Sequence, residues 1–138
     1  MKTSLLILVL ATLSQVAFAT SYEFDCGKNL NIPRTLSVKS KTPGEDGYEF
    51  AAVYKAKGLD STTGTVVQKT YDLVGQSDIV VEDGKDIPIL AFLNYENPNF
   101  QVVLHKTTKI GAIVPALEIN LATEEIIEFN CTLKSYNK

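Results

Sequence analysis

The sequence predicts an all-β protein: a single-domain antiparallel β-sandwich or closed β-barrel of eight or nine strands, its N- and C-terminal strands joined by a disulfide. Three observations carry this expectation. Apolar and polar residues alternate along nearly all of residues 20–138 with the period of two that strands with one buried face require. Turn-forming residues interrupt the alternation at short, regular distances. The only two cysteines stand in almost the same tetrapeptide near the two ends, Glu23-Phe24-Asp25-Cys26 and Glu128-Phe129-Asn130-Cys131.

Residues 1–19 read as a signal peptide. Lys2 supplies the positive end, Leu5 to Leu13 the apolar core and Ala17-Phe18-Ala19 the small-x-small cleavage site. The apolar run falls short of the roughly 20 residues a spanning helix needs, and no cysteine follows it to carry a lipid. The expected product is residues 20–138, one β domain, exported to the periplasm or the extracellular space without membrane insertion. Thirteen Lys and Arg face sixteen Asp and Glu, and loss of Lys2 with the leader leaves the remainder more acidic still. That balance argues against nucleic acid as a partner. No two basic residues are adjacent, which argues against an anionic membrane surface.

In chain order, Tyr22, Phe24 and Cys26 share one strand face, Leu36 and Val38 mark a second strand, and Tyr48, Phe50, Ala52, Tyr54 and Ala56 a third. Turns are expected at 42–47, 59–64, Gly75-Gln76-Ser77-Asp78, 82–86, 96–99 and 106–111. Asp83-Gly84, between Ile79-Val80-Val81 and Ile87-Pro88-Ile89, is the clearest hairpin signal. Ala122 to Glu125 is the one short helical turn expected. Ile127, Phe129, Cys131 and Leu133 then share a face, so both cysteines point inward beside a phenylalanine. An oxidising compartment, an even count and matched contexts favour an intramolecular Cys26–Cys131 bridge. Closing a loop of roughly 100 residues stabilises a fold by about 4 to 5 kcal/mol in the chain-entropy model.

Two stretches are apolar on both faces. In Ile87 to Leu93 the odd positions are expected to face the core, leaving Pro88, Leu90 and Phe92 on the other side. In Ala112 to Leu121, Ile113, Leu117 and Ile119 share one face and Ala112, Val114 and Ala116 the other. Either a loop, the other sheet or a bend covers the second face, or Leu90, Phe92 and Val114 form a candidate binding face for a partner or a second copy in a homodimer. Pro115 marks its strand as an edge, either open to strand addition or guarded by the proline against it. The polar segment beside the only histidine supplies a candidate binding loop, His105, Lys106 and Lys109.

Little points to catalysis. His105 is the sole histidine, no Gly-x-Ser-x-Gly elbow occurs, and both thiols are expected to be oxidised, so no enzyme is predicted. One histidine without a spare thiol cannot begin a zinc site. Glu82, Asp83 and Asp86, and the pair Glu45-Asp46, do not follow the order of a calcium loop. No metal and no cofactor is expected.

The segment Tyr22-Glu23-Phe24-Asp25-Cys26-Gly27-Lys28, together with Cys131, resembles the start and the late bridged cysteine of the periplasmic lysozyme-inhibitor families. The resemblance implies a small exported barrel. The Ser-Gly-x-x-Tyr type of inhibitory segment is not present, Thr63-Gly64-Thr65-Val66-Val67 being a poor stand-in, so no functional residue is carried across. Three functions are consistent with the residues. The leading one is binding of a protein or other macromolecule through loops and an apolar strand face; the others are inhibition of a hydrolase such as lysozyme or a protease, and carriage of a small apolar ligand inside a barrel.

Overall fold

Side chains two apart on a strand share a face, so a chain of alternating residues curls into a wall with a dry side and a wet side. In the computed structural model, which describes residues 20–30, 33–42, 44, 46–59 and 62–138, that wall closes on itself. Eight strands follow one another: β1 (Ser21–Cys26), β2 (Arg34–Ser40), β3 (Phe50–Leu59), β4 (Val66–Glu82), β5 (Lys85–Asn94), β6 (Phe100–His105), β7 (Ile113–Asn120) and β8 (Glu125–Asn137). Each is antiparallel to the next, and β1 pairs with β8 as well as β2. The sheet is thus a closed up-and-down barrel and not a sandwich. The expected signal peptide, residues 1–19, lies outside the described residues, as do Pro43 and Glu45 of the β2–β3 turn. Among the described residues no helix is long and apolar enough to cross a membrane.

The interior is filled by side chains. Seven rings, Tyr22, Phe24, Phe50, Tyr54, Phe92, Phe100 and Phe129, are buried in one cluster with leucines and valines from every strand except β1 and β3. Cys26 lies directly opposite Cys131 in the β1–β8 ladder and is bridged to it, both sulfurs within the core. Immediately beyond, the Gly27 N–H donates to the Asn130 carbonyl at 3.0 Å.

Several expectations change. Leu90, Phe92 and Val114 are buried in the barrel and form no surface, because the phase of alternation in β5 and β7 is the reverse of that expected. Ile89, Ala91, Ile113, Pro115 and Leu117 point outward instead. Gly75-Gln76-Ser77-Asp78 is not a turn but lies within the 17-residue β4. The glycine is there because the Phe92 ring, on its cross-strand partner, occupies the space of a side chain. Pro115 does not mark an open edge, since β7 pairs with both β6 and β8. It sits one residue beyond the last β6 pair, Leu104 with Ala116, where no β6–β7 ladder bond is lost.

Residues 121–124 form a turn rather than a helical segment. The Asn120 side chain accepts the Ala122 and Thr123 N–H groups and so shapes that turn. The only described helical turn is a 3₁₀ segment, Lys28–Leu30, which sequence reading missed. Asp83-Gly84 makes the expected two-residue hairpin, with φ of 51° and 74°, the signs a type I′ turn needs.

Two stability measurements follow. A Cβ at Gly75 would lie 2.3 Å from the Ala91 carbonyl oxygen and 2.4 Å from Phe92 Cδ1. Gly75→Ala is therefore expected to lower stability to urea by about 2 kcal/mol, in the range of overpacked cores. Gly58→Ala, where nothing lies within 4 Å, should change it by less than about 0.5 kcal/mol. Replacing both cysteines by alanine should remove about 2 to 5 kcal/mol in the same assay.

Candidate binding groove beneath the β4–β5 arm

β4 and β5 are longer than their neighbours can cover. β3 pairs with β4 only from Val66 to Gly75, and β6 with β5 only from Ile89 to Leu93. Beyond Gly75, β4 pairs only with β5, and the end of the hairpin, Ile79 to Glu82 laddered with Lys85 to Pro88, leaves the wall as a two-stranded arm. Free ribbons coil strongly, and this one folds back over the outside of the barrel. Asp78, Ile89 and His105 stand at one level of the sheet, and Glu82 is four residues beyond it, about 13 Å if the strand ran straight. Instead Glu82 Oε1 comes to 3.9 Å from His105 Nε2.

The base of the arm is fixed by Lys106. Its N–H donates to the Pro88 carbonyl at 2.9 Å and its Nζ to Ser77 Oγ at 3.2 Å. Ile89 shows the result. It points outward and stands apart from the barrel core, yet it is only 6 % exposed.

Between arm and wall runs a groove of about 780 Å³. Val80, Val81 and Glu82 line its arm side; Ile89, Val103, His105, Pro115 and Leu117 form the wall side. Glu128, Asn130 and Asn29 add polar groups to the lining, and Asn29 Oδ1 accepts the Asn130 N–H at 3.2 Å. Strand alternation explains the composition, since the floor consists of the outward residues of β5, β6 and β7. Two carboxylates, Glu82 and Glu128, and one imidazole line the groove, with no lysine or arginine. It is apolar along its length, and its polar groups are two carboxylates, two amides and one imidazole.

The expected binding residues separate. His105 lines the groove, Lys106 anchors the arm, and Lys109 is exposed in the β6–β7 turn, its N–H donating to Thr107 Oγ1. Leu90, Phe92 and Val114 take no part. Val80, Val103, Leu117 and Glu128 were missed; the doubly apolar character of β5 and β7 was the available signal, read in the wrong phase. Among the described residues, no group of three or more His, Cys, Asp or Glu side chains is placed to hold a metal ion.

A second polar cluster lies inside the barrel. Tyr54 Oη donates to Glu118 Oε1 at 2.7 Å, Arg34 Nε lies 3.4 Å from the same oxygen, and the guanidinium sits 5.1 Å from the centroid of the Phe129 ring. Arg34 is almost wholly buried, so its charge is tolerable only with this carboxylate and ring face to meet it. Tyr71 and Phe100 stack beside Tyr54. Partners within the core satisfy these groups, and they act as structure.

Burial, then the negative charge and hydrogen bond of Glu118, push the Tyr54 hydroxyl far above the ordinary phenol range. Burial, reinforced by Tyr136 and Glu49, moves Tyr22 in the same direction. A raised pKa in the folded state contributes stability that is complete below the unfolded value near 10 and is lost as pH rises through the folded one. Urea midpoints are therefore expected to fall between about pH 9 and about pH 11. Tyr54→Phe should fall less steeply over that range, while costing about 1 to 2 kcal/mol at neutral pH because Glu118 loses a donor.

Compared with protein-family models, curated proteins and solved structures, the chain matches none, and its function is argued from the geometry of the groove.

Proposed function

We propose that the protein is an exported, non-enzymatic binding protein that seats part of a macromolecular partner in the groove beneath the β4–β5 arm. The observation that carries this reading is a built concavity: an apolar floor from three strands, a polar end at Glu82 and His105, and an arm tied at its base by Lys106. Recognition sites are commonly apolar concavities with a few placed polar groups. The groove lining includes no serine, no lysine and no free thiol, so hydroxyl, amine and thiol nucleophiles are missing from it.

The other two readings draw less support. Seven rings and the Arg34–Glu118–Tyr54 cluster occupy the space a small apolar ligand would need inside the barrel. A hydrolase inhibitor acting by loop insertion needs a protruding loop, whereas the arm folds back on the wall. Export is supported by the leader pattern and by the buried disulfide, a bond that oxidising compartments maintain.

Protein recovered from the exported fraction of its host is expected to begin at Thr20, and intact mass after reduction reads this directly. A photo-cross-linking side chain at Leu117, on the groove floor, should form a covalent adduct with a partner in that fraction. The same group at Val53, on the outer face of β3, should not. Val103→Asp/Leu117→Asp is expected to weaken partner binding by a factor of about ten or more, the effect of burying an unpaired charge. Adducts of equal yield from both positions, or undiminished binding by the folded double variant, would count against the groove.

A further inference from the structure

A closed barrel has no strand edges, but the arm restores one. β4 loses β3 after Gly75, so its side toward β3 is unpaired from Gln76 to Glu82. Which backbone groups face that side follows from two hydrogen bonds. The Gly75 carbonyl accepts the Glu49 N–H and so points toward β3; residues 77, 79 and 81, at the same alternation, point the same way. The Pro88 carbonyl accepts the Lys106 N–H and so points away from β4. Ile79 and Pro88 are therefore a pair without mutual hydrogen bonds, and the N–H and C=O of Ile79 face outward. Among the described residues no other backbone group pairs with Ser77, Ile79 or Val81 on that side.

The side chains beside this edge have a pattern of their own. Ile79 and Val81, on one ribbon face, are 63 % and 69 % exposed. On the opposite face Asp78 and Glu82 flank Val80. Asp83 and Asp86 add further acid near the tip, against a single arm lysine, Lys85, opposite Glu82.

We propose that the open edge of β4 from Ser77 to Val81 docks an extended segment of a partner protein, which adds as a further strand and alternates apolar with basic residues. The inference rests on the binding reading above and names the chemistry of the partner. Backbone bonds to Ser77, Ile79 and Val81 supply the ladder of strand addition. Period two places the segment's apolar side chains beside Ile79 and Val81 and its lysines or arginines beside Asp78 and Glu82. Ile79 N–H now donates to the carboxylate of Asp78, Oδ1 at 2.8 Å. An incoming carbonyl takes over that N–H, and a basic side chain takes the released carboxylate. A second copy of this chain would set acidic arm against acidic arm, so charge favours a basic partner.

The test uses three hexapeptides with blocked ends: alternating lysine and valine, the same peptide N-methylated on alternate residues, and alternating glutamate and valine. Each is titrated into the oxidised protein and followed by amide NMR and hydrogen exchange. The lysine–valine peptide is expected to bind and to slow exchange at Ile79 and Val81 about tenfold or more. N-methylation of the ladder-facing residues should weaken binding by about tenfold or more, since lost ladder bonds cannot be replaced. The glutamate peptide should not bind. Val81→Pro should abolish binding, and Ile79→Lys/Val81→Lys, which keeps every backbone group, should do the same in a protein whose remaining spectrum is unchanged.

No binding by the lysine–valine peptide overturns the proposal, as does binding indifferent to N-methylation. Protection confined to Val103, His105 and Leu117 overturns the edge while leaving the groove reading intact. Dimerisation that protects Ile79 without peptide assigns the edge to a second copy and overturns it equally.

Discussion

Everything in this fold depends on the seam where the first strand meets the last. β1 must hydrogen-bond to β2 on one side and to β8 on the other, or the barrel is an open eight-stranded sheet with two unpaired edges and a row of aromatic rings in water. The seam is also the most expensive contact to find, because its two halves are separated by nearly the whole domain. The disulfide acts there, between residues already opposite one another in the ladder. A register shift between Glu23 and Phe24 lets the seam continue past the bridge to Tyr22 and Tyr136, whose ring centroids stand 5.0 Å apart.

Closure also explains why the candidate site exists. A wall whose strands pair on both sides has no place for surplus length, and β4 with β5 carries surplus beyond the reach of β3 and β6. The excess must leave the wall. Gly75 stands at that exit, the last β4 residue paired with β3 and the one over which the Phe92 ring packs. Once outside, the ribbon coils until Ile89 is covered, and the groove is the space left between a twisted ribbon and a curved wall. Burial of Ile89 gives the bent arm a hydrophobic reason to stay bent, of about 1.5 to 3 kcal/mol for such a side chain. The exposed Glu82–His105 contact contributes little beside it.

The parts legible in the sequence are those where only one face of a strand is apolar. Tyr22, Phe24 and Cys26 alternate with Glu23 and Asp25, so the inward direction of Cys26 follows, and with Cys131 on a similar strand the pairing of the ends follows too. Asp83-Gly84 was legible because a type I′ turn tolerates few other residues. Ile87 to Leu93 was not, since alternation without a polar face has no phase. The structure supplies what was missing: Leu90 and Phe92 meet the core, while Ile89 meets the returning arm. Gly75 misled for a related reason. Glycine before Gln-Ser-Asp looks like a turn, and only the cross-strand position of Phe92, unknowable without the register, makes it a strand residue that had to lack a side chain. The barrel could not be told from a sandwich because the strand pattern is common to both, and closure is decided by pairing between chain ends.

The two edges of the arm are guarded unequally, and the inequality bears on what the arm is for. Exposed edges are commonly blunted with proline, charge or a bulge. On the β5 side Pro88 removes a donor permanently, and its carbonyl is already committed to Lys106. On the β4 side the protection is one carboxylate, Asp78, held on one amide, Ile79. A proline cannot be displaced, whereas an aspartate can exchange its hydrogen bond for a carbonyl and a counter-charge at small net cost, because hydrogen bonds are being traded like for like. An edge evolved only to avoid pairing would not also present Ile79 and Val81 to solvent on the adjoining face. Acidic side chains on the opposite face repel another copy of the arm while attracting a basic strand. On the proposed reading, the β4 side of the arm disfavours a second acidic copy and suits a strand of complementary charge.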